Sequence, residues 1–257
     1  MADRRQQAWE DWGRVDPLFA VLTDFSHQHG GWDEVAFFAT GAETVGRVLD
    51  EAAALGRPGG HRRALDFGCG VGRLSRALAG PFDEVVGLDV ADSMVEEARR
   101  LNRAVPGCTF EVHRDRDLAR FPDGHFDLVL CLLVLQHTGS TAAMERYLTE
   151  FARVLAPGGV AVVQIPSKVP APPPPPATWS RASLRRRAGS GLRHLGVPPD
   201  VLYRRGWWSP EMTMTGLDHD RVVAVLEGAG APVLGVIGPE VDAGGTENRT
   251  YLAGPPA

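Results

Sequence analysis

Three glycines at alternate positions, Gly68, Gly70 and Gly72, lie between an apolar run, Ala64–Phe67, and a helical pattern, Arg73–Ala79. A chain turns that sharply from strand to helix only where side chains do not obstruct the backbone. The segment therefore reads as the opening strand–turn–helix of a parallel α/β unit. Further apolar runs at Val85–Val90, Phe126–Leu135 and Val160–Ile165, and a weaker one at Thr109–Val112, are nearly continuous rather than alternating. Strands buried on both faces of a parallel sheet have that pattern.

Helical patterns separate these runs. Met94, Val95, Ala98 and Leu101 fall on one helix face, as do Met144, Tyr147, Leu148, Phe151 and Leu155. The second pattern has a start signal at Ser140-Thr141 and a stop at Pro157-Gly158-Gly159. Strands alternating with helices of this length make right-handed crossovers, so about Arg62 to Pro166 is expected to be a doubly wound α/β core.

Four regions follow. Residues 1–60 form an N-terminal helical cap, with Val45, Val48, Leu49 and Ala52 on one face and a Gly/Pro joint at 56–60. Residues 61–166 are the Rossmann-like core. Residues 167–215 are a basic insertion, a lid or substrate region, containing the run Pro172–Pro176, which favours extended backbone. Residues 216–257 supply a helix around Val222–Ala229 and strands at Pro232–Ile237 and Arg249–Ala253. All six tryptophans lie in the flanking regions, at 9, 12, 32, 179, 207 and 208. They suit either an aromatic substrate wall or the burial of helices.

A net charge of −5 argues against a surface made for nucleic acid. Cys69, Cys108 and Cys131 lack metal-ligand spacing and read as small buried hydrophobes. The first residues carry no apolar signal core, and no run reaches the roughly 18 apolar residues of a membrane span, so the expected location is the cytoplasm.

In the glycine turn, the place where a dinucleotide fingerprint has its third glycine is taken by Arg73, and Asp66 stands two residues before Gly68. That combination suits a ligand with a cationic ammonium and sulfonium better than a pyrophosphate. Asp89 ends the second strand, where a carboxylate can accept hydrogen bonds from both ribose hydroxyls of an adenosine. Gln136-His137 ends the fourth run, at the open edge of the sheet where ligands bind. His137 is a candidate general base, because imidazole titrates near neutral pH; the alternative is a packed histidine tethering the next helix.

Leu65-Asp66-Phe67-Gly68-Cys69-Gly70-Val71-Gly72, Gly87-Leu88-Asp89, Phe121–Val129 and Arg153–Gly159 together resemble class I methyltransferases dependent on S-adenosylmethionine (SAM). The resemblance spans about Arg62–Pro166. It implies a seven-stranded, mostly parallel Rossmann-like sheet with an antiparallel last strand, preceded by helices and carrying an insertion after the fifth strand. It also implies SAM as cofactor, with no metal. Gly68–Gly72, with Cys69 and Arg73, would underlie the methionine part, and Asp66 would sit near its amino group. Asp89 would hold the ribose and Met94 would pack against the adenine, with Val90 a further cofactor contact. The adenine amino group would meet an acid within His113-Arg114-Asp115-Arg116-Asp117-Leu118; Asp115 and Asp117 are both candidates, with Asp117 and the Leu118 backbone preferred. Leu132 and Gln136 would complete the site, and Thr40 and Gly41 would close over its methionine end.

The expected activity is methyl transfer to an O, N or C nucleophile of a small organic acceptor, in bacterial specialised metabolism. Two alternatives stand beside it. One is a nucleic-acid methyltransferase using the basic insertion, although no Asn/Asp-Pro-Pro-Tyr-like segment follows the fourth strand. The other is a non-methylating member of the fold, since binding motif and chemistry are separable. A nicotinamide-dependent oxidoreductase is disfavoured by the glycine spacing.

Overall fold

A computed structural model describes residues 4–171, 181–242 and 244–256. The run Pro172–Pro176 and Trp179 lie outside the described residues. A seven-stranded sheet forms the centre, in the order β3-β2-β1-β4-β5-β7-β6. The strands are β1 (Arg63–Phe67), β2 (Glu84–Asp89), β3 (Cys108–Val112), β4 (Phe126–Cys131), β5 (Leu155–Lys168), β6 (Val233–Val241) and β7 (Glu247–Ala253). β1 to β5 pair in parallel, while β7 lies antiparallel between β5 and β6. The fold is the expected Rossmann-like one.

The continuous apolar runs become strands whose successive residues enter different cores. Val129, Cys131, Ala161 and Val163 pack with α6 (Thr141–Val154) and α9 (His219–Gly228). Leu128, Leu130, Val160 and Val162 pack with α3 (Glu34–Ala54) and α4 (Arg73–Leu78). This alternation is why the runs lack a polar face. Ser140 caps α6, its hydroxyl accepting from the Ala143 N–H at 3.2 Å. α5 (Asp92–Leu101) lies against β2 and β3.

Two boundaries differ from the sequence pattern. β4 stops at Cys131 rather than Leu135, because Leu133 takes a left-handed φ of 63° and Leu135–His137 coil into a 3₁₀ turn. β5 begins at Leu155, directly after α6, because Leu155 already pairs with Phe126 and the Pro-Gly-Gly segment is an irregularity within the pairing.

The flanks form one cap. α1 (Arg4–Val15), α2 (Pro17–Val21) and the start of α3 build a third apolar cluster around Trp12, Phe19, Phe37 and Tyr203. Tyr203 belongs to α8 (Pro199–Arg204), which follows α7 (Arg181–His194) in the insertion. Asp16, buried to 3% exposure, joins these parts. One of its oxygens, Oδ2, accepts from the His29 N–H at 2.6 Å, the Gly30 N–H at 3.2 Å and the Tyr203 hydroxyl at 2.9 Å. Arg193 of α7 pairs with buried Asp11 and lies over the Trp208 ring at 4.2 Å. Part of the basic insertion is thus committed to holding the cap. Among the described residues no helix is long and apolar enough to cross a membrane.

Candidate active site

A cavity of about 870 Å³ opens at the carboxyl ends of β1, β2, β3 and β4, beneath the cap. It is lined by Asp66, Gly68, Cys69, Gly70 and Arg73 from the first turn, and by Asp89, Val90 and Met94 from the second. Leu132, Gln136 and His137 come from the end of β4. The topology therefore gathers most of the residues singled out in the sequence.

Each carboxylate is held from within the core. Asp66 is buried, and its Oδ2 accepts from the Ser75 hydroxyl of α4 at 2.5 Å. Burial raises its pKa to about 6, against the hydrogen bond from Ser75 and the nearby Arg73 cation. The Asp89 Oδ2 accepts from the Gly70 N–H at 2.9 Å, and its Oδ1 from the Ala91 N–H at 3.0 Å. Burial raises the Asp89 pKa, while those backbone donors favour its ionised form. Each oxygen still has a lone pair for a ligand hydroxyl.

Gly70 has φ 52°, and a Cβ there would lie 2.4 Å from Val21 of α2, so the cap rests directly on the glycine loop. Gly72 does not line the cavity. It is the left-handed N-cap of α4, and a Cβ on it would meet Asn102 at 2.6 Å and Phe110 at 2.8 Å, so its small size serves packing.

Arg73 is a buried cation whose Nη1 donates to the Thr40 and Thr44 hydroxyls at 3.3 Å each. Its buried Nε has no partner, and burial lowers its pKa. Thr40 and Gly41 do not line the cavity. They lie on α3 behind Arg73, where a Cβ on Gly41 would lie 2.4 Å from the Arg73 carbonyl oxygen, too close for any side chain.

The structure does not bring Asp117 or Leu118 to the cavity. Leu118 is buried in the apolar core, its N–H donating to Glu150 at 2.7 Å. Asp117 is exposed and accepts from the Ala119 N–H at 3.2 Å. The cavity wall is instead made by His113 to Arg116, which includes Asp115. Tyr147 of α6 pins this wall by donating to the Asp115 carbonyl at 2.8 Å. His113 is buried with neither ring nitrogen partnered, and burial lowers its pKa.

On the other side, Trp9 stands edge-on to His137 with ring centres 5.2 Å apart, and Met212 and Met214 of the insertion face the same space. Trp9 is the tryptophan that lines the cavity among the described residues; Trp12 is in the cap core and Trp32 stacks on His27. The His137 Nδ1 lies 3.3 Å from the Thr213 carbonyl. A carbonyl only accepts, so Nδ1 carries the proton and Nε2 keeps its lone pair. Burial lowers the pKa of this ring, which keeps it neutral. Cys69 and Cys131 are buried and Cys108 is half-buried; burial raises the pKa of all three thiols.

The residues facing the cavity are those that carry the motif, and the family comparison falls on the same stretch. Residues 65–163 match the family model described as a methyltransferase domain. The chain carries a methyltransferase domain. This domain is similar to the ubiquinone biosynthesis O-methyltransferase of Xanthomonas campestris, with 35% identity over 122 residues, covering 47% of this chain and 48% of that protein. It is 39% identical over 108 residues to a ubiquinone/menaquinone biosynthesis C-methyltransferase of Ectopseudomonas mendocina, covering 40% of each. Each match thus spans about half or less of the relative's length. The methyltransferase domain and its flanks also superpose on the magnesium protoporphyrin IX methyltransferase of Synechocystis, solved with bound S-adenosylhomocysteine (SAH). The TM-score is 0.59 at 20% identity, covering 98% of this chain and 99% of that one.

Trp9 was among the tryptophans expected either to form a substrate wall or to bury helices, whereas His113, Tyr147 and the two methionines were not singled out as ligand-facing. His113 alone carried a usable signal, since it follows β3 directly and its N–H donates to the Asp89 carbonyl at 2.7 Å.

Proposed function

We propose that the chain transfers a methyl group from SAM to a nucleophilic oxygen, nitrogen or carbon of a small organic acceptor, in bacterial specialised metabolism and in the cytoplasm. The observation that carries this reading is the junction, in one cavity, of two buried carboxylates, a buried guanidinium with an unpartnered Nε and a glycine turn. These groups fit SAM in charge. Asp66 suits an ammonium, Arg73 a carboxylate and Asp89 a ribose diol. The cavity volume lies within the range of small-molecule sites.

The cofactor brings a methyl group already activated on a sulfonium. What remains for the protein is alignment and proton removal. Asp89 would hold the ribose at both oxygens, and Val90 and Met94 would flank the adenine. Asp115, on the cavity wall, fits the adenine edge better than Asp117 does. His137, neutral and with a free Nε2 lone pair, would take the proton from a hydroxyl or amine acceptor. Trp9, Met212 and Met214 would form the apolar acceptor wall. Bacterial relatives whose names refer to ubiquinone biosynthesis support a small organic acceptor.

Calorimetric titration with SAM and SAH, on the wild type and Asp89→Ala, tests the reading. Micromolar binding to the wild type and at least about a hundredfold loss in the variant are expected, since two hydrogen bonds to a charged group disappear. No binding to the folded wild type would refute it.

A further inference from the structure

α5 begins at a poor cap. Its N-cap residue is Ala91, which offers no side-chain acceptor, yet this turn carries Val90 and Met94 into the cavity. The missing acceptor comes from another helix. The Glu10 carboxylate of α1 accepts from the Asp92 N–H at 2.7 Å through Oε1 and from the Ser93 N–H at 3.2 Å through Oε2. In return the Ser93 hydroxyl donates to the Glu10 carbonyl at 3.0 Å. One turn further along α1, Gly13 leaves room for Ser93, since a Cβ there would lie 2.2 Å from the Ser93 Oγ.

Three successive backbone donors, at 91, 92 and 93, are therefore divided between two carboxylates. Asp89 takes the first and Glu10 the other two. Glu10 also lies 3.9 Å from Arg114 on the cavity wall, and its charge is among those that raise the Asp89 pKa. The preceding turn of α1, on the same side of the helix, presents Arg5, Gln6 and Trp9 to the acceptor side, with Trp9 against His137. One short helix thus touches the turn behind the ribose carboxylate and the wall beside the candidate base.

We propose that Glu10 is a positioning residue that couples occupancy of the Asp89 turn to the docking of α1, so that the acceptor wall is completed on the cofactor-loaded protein. This rests on the cofactor reading above. A ligand that fixes Asp89 fixes the 91–93 turn, and that turn holds Glu10. By reciprocity, the factor by which the ligand strengthens α1 docking is the factor by which undocking α1 weakens the ligand. Methyl transfer then follows an order, cofactor first and acceptor second.

The test uses SAH as probe, with calorimetry for affinity and hydrogen exchange of the α1 amides for docking. SAH is expected to slow exchange across α1 in the wild type. Glu10→Gln is expected to abolish that slowing and to weaken SAH about tenfold. Arg14→Ala, whose guanidinium is largely exposed at 3.7 Å from Glu10, is expected to leave both unchanged. Ser93→Ala removes the reciprocal bond and provides a second variant should Glu10→Gln fail to fold. Unchanged α1 exchange in the SAH-bound wild type would overturn the coupling. So would a Glu10→Gln protein with loosened α1 but wild-type SAH affinity, which is the behaviour of a merely structural anchor. A folded wild type that binds no SAH overturns the cofactor reading itself, and the coupling with it.

Discussion

Asp66 is where stability and binding oppose each other. Burial at 2% exposure pushes its carboxyl up from 3.8 to about 6, although the Ser75 hydroxyl and the Arg73 cation favour ionisation. A shift of about 2 units is worth about 3 kcal/mol between the two protonation states. Because the folded-state value lies above the unfolded one, folding favours the protonated form. That contribution is complete below about pH 4, declines as pH rises, and is gone above about pH 6. Asp66→Asn keeps an acceptor for Ser75 and removes the charge. At pH 7 the variant is expected to be more stable by about 1–2 kcal/mol, because the new amide donors offset part of the gain. For a chain of this size that is roughly 2–8 °C in Tm. SAH affinity is expected to fall by about 10- to 100-fold, as the ammonium loses its anion. Urea unfolding of both proteins at pH 4 to 8, with calorimetry at pH 7.5, measures both effects. Glu84, Glu145 and Glu150, whose arginine partners lower their pKa values, bend the wild-type curve the other way, so the difference between the two proteins is the quantity to read. A difference that stays flat from pH 4 to pH 7, or an Asn variant less stable at pH 7, would refute the reasoning.

Two further outcomes follow from the geometry. His137→Gln is expected to lower turnover of a hydroxyl or amine acceptor by about 10²- to 10⁴-fold while SAH affinity stays within about twofold, measured by transfer of radiolabelled methyl. Tyr203→Phe deletes the hydroxyl that donates to buried Asp16 at 2.9 Å and is expected to cost about 1–3 kcal/mol in urea unfolding.

The core was legible because its signals are local. A strand buried on both faces must be apolar along its length, and Val129 and Leu130 enter opposite cores one residue apart. The glycine turn and Asp89 were legible for the same reason, being fixed by where strands end. The end of β4 was not, since the left-handed Leu133 leaves no mark in an apolar run. Nor was the choice between Asp115 and Asp117. Both stand in a polar loop without periodicity, and the contact that shapes it comes from Tyr147, 32 residues away. Glu10 and Asp16 were invisible because their partners lie 82, 83 and up to 187 residues along the chain. An isolated acid in a helical stretch resembles any solvated charge until the fold supplies its donors.

The buried Asp16 junction also bears on how such a scaffold can be re-engineered. The segments that meet there, α1–α2 with the 28–30 turn and α8, come from opposite ends of the sequence yet share one oxygen as hydrogen-bond acceptor. Grafting a foreign helix pair in place of either alone would leave a carboxylate or a phenol without its counterpart inside the protein. Chimaeras intended to change acceptor preference must therefore exchange both segments together, as one unit that the gene encodes in two pieces.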